Sequence, residues 1–225
     1  MKKLIGILRS VGSIILLMLA LLFCDILFAI IVRLIQVFFF VPKSYLLWTV
    51  NPPGKYAFFI IISLIDIFLY VLWLKLFQKS ETDSFNKKKW IPASIITVVL
   101  LYVQIISVSV FTGEEIIHYS FTHPVAKEYS YTDIRSVQTG VYGNDIPIIR
   151  DKGDFYYIVT FEDGTKINLM DMGGEASQDT YSQVENIDKI IMSKGVNKIS
   201  SEDNIELVRL AQVYVDRFKR IIRNK

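Results

Sequence analysis

Three apolar runs of about 22 residues each, at 11–32, 56–77 and 90–111, fill the first half of this chain. At 1.5 Å rise per residue, roughly 20 such residues cross the hydrocarbon of a bilayer. Lipid offers the backbone no hydrogen bonds, so each span is expected to be a helix. The expected architecture is an all-α transmembrane half over 1–111, with three transmembrane helices, and a soluble domain over 112–225. The 114 residues after the last span suffice for one small core. Its core elements are expected to lie after Gly113, so the domain should fold without the helices.

Charge divides at the same place. Residues 1–111 carry 11 Lys/Arg and 4 Asp/Glu, and residues 112–225 carry 14 and 18. An acidic domain is a poor nucleic-acid ligand, because phosphate contacts need clustered basic charge. The single cysteine, Cys24, lies in the first run and reads as a small buried hydrophobe. That run is too long for a signal peptide, so it is expected to stay as an anchor.

Positive charge near span ends stays cytoplasmic. With the N-terminus inside, that side collects Lys2, Lys3, Arg9, Lys75, Lys79, Lys87, Lys88 and Lys89. The other side collects Arg33, Lys43, Lys55 and Lys127. Three lysines followed by Trp90 mark a cytoplasmic helix entry. The expectation is a cell-membrane protein with a cytoplasmic N-terminus and an extracytoplasmic C-terminal domain. The loop between the first two spans ends in Asn51-Pro52-Pro53-Gly54, which reads as a turn.

Acidic side chains in hydrocarbon are costly and usually face a partner. Counted down from the outer ends 32, 56 and 111, Asp25, Asp66, Tyr102 and Gln104 differ in height by only about 5 Å. They are a candidate intramembrane polar layer. Asp66 is expected to face Asp25, Tyr102 or Gln104. The functional reading is a proton- or cation-linked site. Interhelical hydrogen bonding that fixes helix register is the favoured reading.

In the soluble half, alternation marks strands at 115–121, 127–131 and 134–141, and 154–161 reads as a central strand. Asp163-Gly164 between 154–161 and 166–171 predicts a two-residue type I′ hairpin. Thr180 to Gln183 fits a capping box, with Gly195 as the stop of a first helix. Ile205, Val208, Ala211, Val215, Phe218 and Ile222 recur at helical spacing and predict a second helix, capped at Ser200 and Asp203. Strands first and helices last give an α+β domain: a small antiparallel sheet or partial barrel of about five strands, then two helices.

Lys127 to Gly140, KEYSYTDIRSVQTG, the hairpin FYYIVTFEDGTKINL and the terminal amphipathic helix resemble the bacterial pleckstrin-homology-like membrane proteins. The resemblance covers about 90 residues. It implies a small curved sheet or barrel closed by a helix, behind transmembrane helices. That fold has seven strands and one closing helix, against the five and two counted here. The resemblance carries no binding residue across, and phosphoinositide binding does not follow from it.

Glu114, Glu115, His118 and His123 tempt as metal ligands but read as surface residues. The scattered aspartates do not follow calcium-loop spacing, and no serine sits in a nucleophile elbow. Arg217, Arg220 and Arg223 on the basic helix end are candidate lipid-headgroup contacts. Complementing the helix C-terminus is their blander role. The expected function is a non-enzymatic membrane-tethered interaction or regulatory module without cofactors. Its expected partners are membrane lipids and a protein partner or a second copy. The alternative is a component of a proton- or cation-linked transporter using Asp25 and Asp66.

Overall fold

The computed structural model describes residues 2–78, 87–146, 150–173 and 178–224. Lys79, Gly174 and Lys225 lie outside these residues. So do the side chains of Lys2, Lys3, Arg9, Lys87, Lys88, Lys89, Trp90 and Asp179.

Chain contacts divide the molecule into two compact units. One comprises residues 1–36 and 54–105, the other residues 37–53 and 106–225.

The first unit is helical: α1 (Lys2–Phe40), α2 (Pro52–Gln78) and α3 (Lys87–Ile106). Two helices, with apolar stretches Val11–Phe40 and Pro52–Lys75, are long and apolar enough to cross a membrane. In α3 the apolar run is the shorter Ser94–Ile106. α1 and α2 run antiparallel. Phe28 stacks on Phe58 at 5.7 Å, and Trp73 Nε1 donates to the Ser13 carbonyl at 3.2 Å. Pro52-Pro53-Gly54 is not a turn but the first turn of α2. A helix's first N–H groups have no intrahelical partner, so proline there forfeits nothing.

The second unit is α+β, with two four-stranded sheets and helices. Sheet one has the order β1 (Leu47–Val50), β2 (Val108–Phe111), β3 (Glu115–Ser120), β4 (His123–Ser130), all antiparallel. Sheet two has the order β7 (Lys166–Asn168), β6 (Phe155–Phe161), β5 (Ile134–Val141), β8 (Asn197–Ser200), in which β8 runs parallel to β5. A 3-10 turn, Tyr131–Asp133, closed by a Ser130–Asp133 capping box, carries the chain from one sheet to the other. α4 (Gln178–Ser193) and α5 (Gln212–Arg223) complete the unit. One core holds Leu47, Phe111 and Ile116 of sheet one, Val137, Tyr157 and Val159 of sheet two, and Val184, Ile187, Phe218 and Ile221 of the helices.

Several expectations change here. The boundary at 111/112 cuts sheet one, because β1 and β2 both precede it. α3 stops at Ile106 and the chain continues as strand. β1 lies in the loop between the first two helices and pairs along both edges. Leu47 to Val50 pair with Val108 to Phe111 on one side. On the other, Val50 N donates to Asp171 O at 2.8 Å and Gly173 N to Trp48 O at 3.0 Å. Gly173 is required at that crossing, since a Cβ there would stand 2.0 Å from the Trp48 ring. β4 opens at His123 and Pro124, four residues ahead of the strand expected from 127. Eight strands are formed among the described residues, not five. The predicted second helix begins only at Gln212. Ile205 and Val208 pack on the core from a 3-10 turn, Ile205–Leu207, and the residue after it. α4 begins at Gln178, upstream of the predicted Thr180 cap.

The β6–β7 turn is also of another type. Gly164 N donates to Phe161 O at 3.0 Å, and Phe161 N donates to Thr165 O at 2.9 Å. Gly164 alone has positive φ, +87°. This is a three-residue loop, a turn followed by a left-handed residue, rather than type I′. A Cβ at Gly164 would meet nothing within 4 Å, so a substitution there strains only the backbone. Gly164→Val is expected to cost about 1–3 kcal/mol in a denaturant titration, with Gly164→Asn costing less.

Candidate functional site

In the helical unit, the polar residues separate into two levels. Asp25 and Asp66 lie within electrostatic reach of each other. One carboxylate oxygen of each, Oδ1, is buried without a hydrogen-bond partner. Gln104 is at another height: its backbone carbonyl accepts from Gln36 Nε2 at 2.8 Å. Gln36 is eleven residues beyond Asp25 in α1, about 16 Å along the axis. Gln104 Oε1 is buried and unpartnered, whereas Tyr102 is 42% exposed. The structure thus leaves Asp25 and Asp66 within electrostatic range of each other and sets the Gln104 backbone against Gln36, a residue that sequence reasoning missed. Its signal was an amide inside an apolar run, four residues past the expected span end.

The second unit has a buried polar cluster where helix ends meet sheet one. Asn51 directly precedes α2, Ser109 lies in β2 and His118 in β3. Ser109 Oγ donates its proton to Asn51 Oδ1 at 2.9 Å. Ser109 Oγ also lies 2.8 Å from His118 Nδ1, and Asn51 Nδ2 lies 3.4 Å from the same ring nitrogen, whose role as donor or acceptor follows the ring tautomer. Asn51 Nδ2 donates to Tyr119 O at 3.2 Å, completing the relay. His118 is therefore a core residue, not the surface residue expected.

Burial pushes the His118 imidazole down to about 4, and its unfolded value is ordinary. The folded state thus prefers the neutral ring. That preference stabilises fully above about pH 6.5 and is lost as pH falls through 4. We expect this group to remove about 3 kcal/mol of stability between pH 7 and pH 4. His118→Gln should flatten that part of the stability–pH curve.

A second buried cluster clasps the C-terminal helix. Lys198 of β8 pairs with Asp188 of α4, and both side chains are almost wholly buried. Tyr157 Oη and Asn224 Nδ2 donate to the same carboxylate at 2.8 and 2.7 Å. Lys198 Nζ also donates to the carbonyls of Ile221 and Asn224 at the end of α5. Those carbonyls have no intrahelical donors, so the ammonium caps the helix.

The three candidate headgroup arginines each have a carboxylate within the domain. Arg217 and Arg220 reach Glu185 of α4 at 3.5 and 3.2 Å, and Arg223 grips Glu202 with two nitrogens. Hydrogen bonding to Arg220, opposed by burial, holds Glu185 below the ordinary carboxylate range. Lys127 and Tyr129 of β4 bind Asp163 in the β6–β7 turn, which joins the two sheets. Among the described residues, no group of three or more His, Cys, Asp or Glu side chains could hold a metal ion. No protein-family model, curated protein or solved structure matches this chain.

Proposed function

We propose that this chain is a three-span cell-membrane protein of the bacterial pleckstrin-homology-like kind, acting as a non-enzymatic tethered interaction or regulatory module. Its N-terminus is cytoplasmic and its C-terminal domain extracytoplasmic. The observation that carries this reading is β1. The loop joining the first two helices is a strand paired along both edges inside the domain. Binding of a protein or lipid to its sheets is felt by the backbone that leads directly into α1 and α2. The groups that tempt as catalysts serve the fold: Ser109 is fully buried, and its hydroxyl is committed to Asn51.

One observation favours a transport component instead. Asp25 and Asp66 each keep a buried, unpartnered carboxylate oxygen in mutual electrostatic range. Such groups inside membranes commonly serve proton or cation movement. Purified chain in vesicles with an entrapped pH dye separates the two. The module reading expects no ion-driven flux above empty vesicles and an unchanged melting temperature for Asp66→Asn. A flux lost in a well-folded Asp66→Asn protein contradicts it and establishes the transport reading.

A further inference from the structure

Lys198 of β8, Asp188 of α4 and Asn224, the residue after α5, converge on one buried point. Lys198 Nζ donates to Asp188 Oδ1 at 2.5 Å, and Asn224 Nδ2 donates to Asp188 Oδ2 at 2.7 Å. One carboxylate therefore bridges an amine and a carboxamide, with one on each oxygen. A carboxylate only accepts, so the amide must turn its nitrogen rather than its oxygen towards Asp188. Lys198 Nζ also donates to the Asn224 backbone carbonyl at 3.0 Å, which sets the amine beside the residue that carries the carboxamide. The Tyr157 ring centroid lies 5.6 Å from Nζ, and its hydroxyl donates to Asp188 Oδ1. The Lys198 and Asp188 side chains are only 2% and 1% exposed, so bulk water does not reach the pair.

In water a lysine does not attack a carboxamide, because an ammonium has no free electron pair and the encounter is rare. Both obstacles are lowered here. Burial shifts the Lys198 amine below its ordinary value, against the opposing hydrogen bond and charge of Asp188. Groups fixed side by side react as though at very high concentration. The carboxylate that can take the ammonium proton also touches the nitrogen that would leave, so one group can serve as base and then as acid. The carbonyls of Ile221 and Asn224 hold the amine at the end of α5 while its proton moves. A buried ion pair is also costly to maintain, which favours any step that removes both charges.

We propose that Lys198 and Asn224 join in an isopeptide bond formed across Asp188, tying the end of α5 covalently to β8. Lys198 Nζ passes one proton to Asp188, and the electron pair so freed attacks Asn224 Cγ. The Nζ–Cγ bond forms and the Cγ–Nδ2 bond breaks. Asp188 returns its proton to Nδ2, which leaves as ammonia, and Nζ gives its second proton to Asp188. Nothing is oxidised or reduced. An ammonium, a carboxylate and a carboxamide become a secondary amide, a neutral carboxyl and ammonia, so no buried charge remains.

The test is mass spectrometry of the full chain, purified folded and then denatured. The expected result is a mass about 17 Da below that of the sequence, the mass of one ammonia, and a digest containing a branched peptide that joins Lys198 to Asn224. Asn224→Ala keeps the Lys198–Asp188 pair and should show the full mass, as should Lys198→Arg. Full mass in the unsubstituted chain overturns the proposal. Loss of ammonia without a branched peptide also overturns it, since Asn224 would then have closed on its own backbone. A branched peptide about 18 Da lighter, joining Lys198 to Asp188 with loss of water, overturns the assignment of Asn224 as the group attacked. An Asp188→Asn protein that melts cooperatively and still carries the bond overturns the role given to Asp188.

Discussion

A fragment of residues 112–225 expressed alone will not fold cooperatively, whereas 106–225 joined to 41–53 by a flexible linker will. The first fragment lacks β1 and β2. It loses Leu47, Trp48, Val108, Val110 and Phe111, all buried. Burial of each such side chain contributes about 1.5–3 kcal/mol. Together they approach the net stability of a whole domain, about 5–15 kcal/mol. The truncation also leaves the open edge of β3 unpaired, which invites aggregation. Amide dispersion and a cooperative thermal transition distinguish the two fragments. Native-like spectra from 112–225 would show that sheet one does not need its first two strands.

Lys198→Ala is expected to destabilise the protein by about 3–5 kcal/mol, because it leaves Asp188 charged, buried and uncompensated. The cost includes the cap on α5, since Lys198 also binds the Ile221 and Asn224 carbonyls. Asp188→Asn combined with Lys198→Met removes both charges and should cost less than Lys198→Ala alone. Denaturant midpoints of the wild type, Lys198→Ala, Asp188→Asn, Lys198→Met and the double variant measure this. A double variant as unstable as the sum of the two singles would mean that the pair is not coupled.

Some of this fold was legible in the sequence and some was not, for physical reasons. β5 was read with its observed ends, 134 and 141, and β6 to within a residue. Their patterns are local, and the corner at Asp133 and the glycine at 164 punctuate them. The positive φ at Gly164 was legible; the loop length was not, because Asp-Gly serves both turn types. β1 and β2 are four residues each, Leu-Trp-Thr-Val and Val-Ser-Val-Phe, and both adjoin apolar helices. Hydropathy therefore merged β2 with the third span. Nothing local announces a pairing between residues about sixty positions apart. That merger also misplaced Gln104: its depth was counted from Phe111, five residues beyond the end of α3. The register of Asp25 and Asp66 did not depend on that end, and those two lie within electrostatic range of each other. The helical spacing from 205 to 222 was real, but residues three apart also face one way in a 3-10 turn. His118 could not be placed from sequence, because its burial depends on β1 and β2.

The central claim is that β1 is stitched into the soluble domain along its second edge. Thr49 and Met172 face each other there as an antiparallel bridge. Val50 N to Asp171 O and Gly173 N to Trp48 O flank them, so the two form a non-hydrogen-bonded pair, the closer kind, with Cα atoms about 4.5 Å apart. That spacing accepts a disulfide. Thr49→Cys with Met172→Cys, in a Cys24→Ser chain, should oxidise readily to a reducible intramolecular crosslink in the folded protein. Free thiols at both positions, labelled by maleimide after oxidation of a folded sample, would contradict the account.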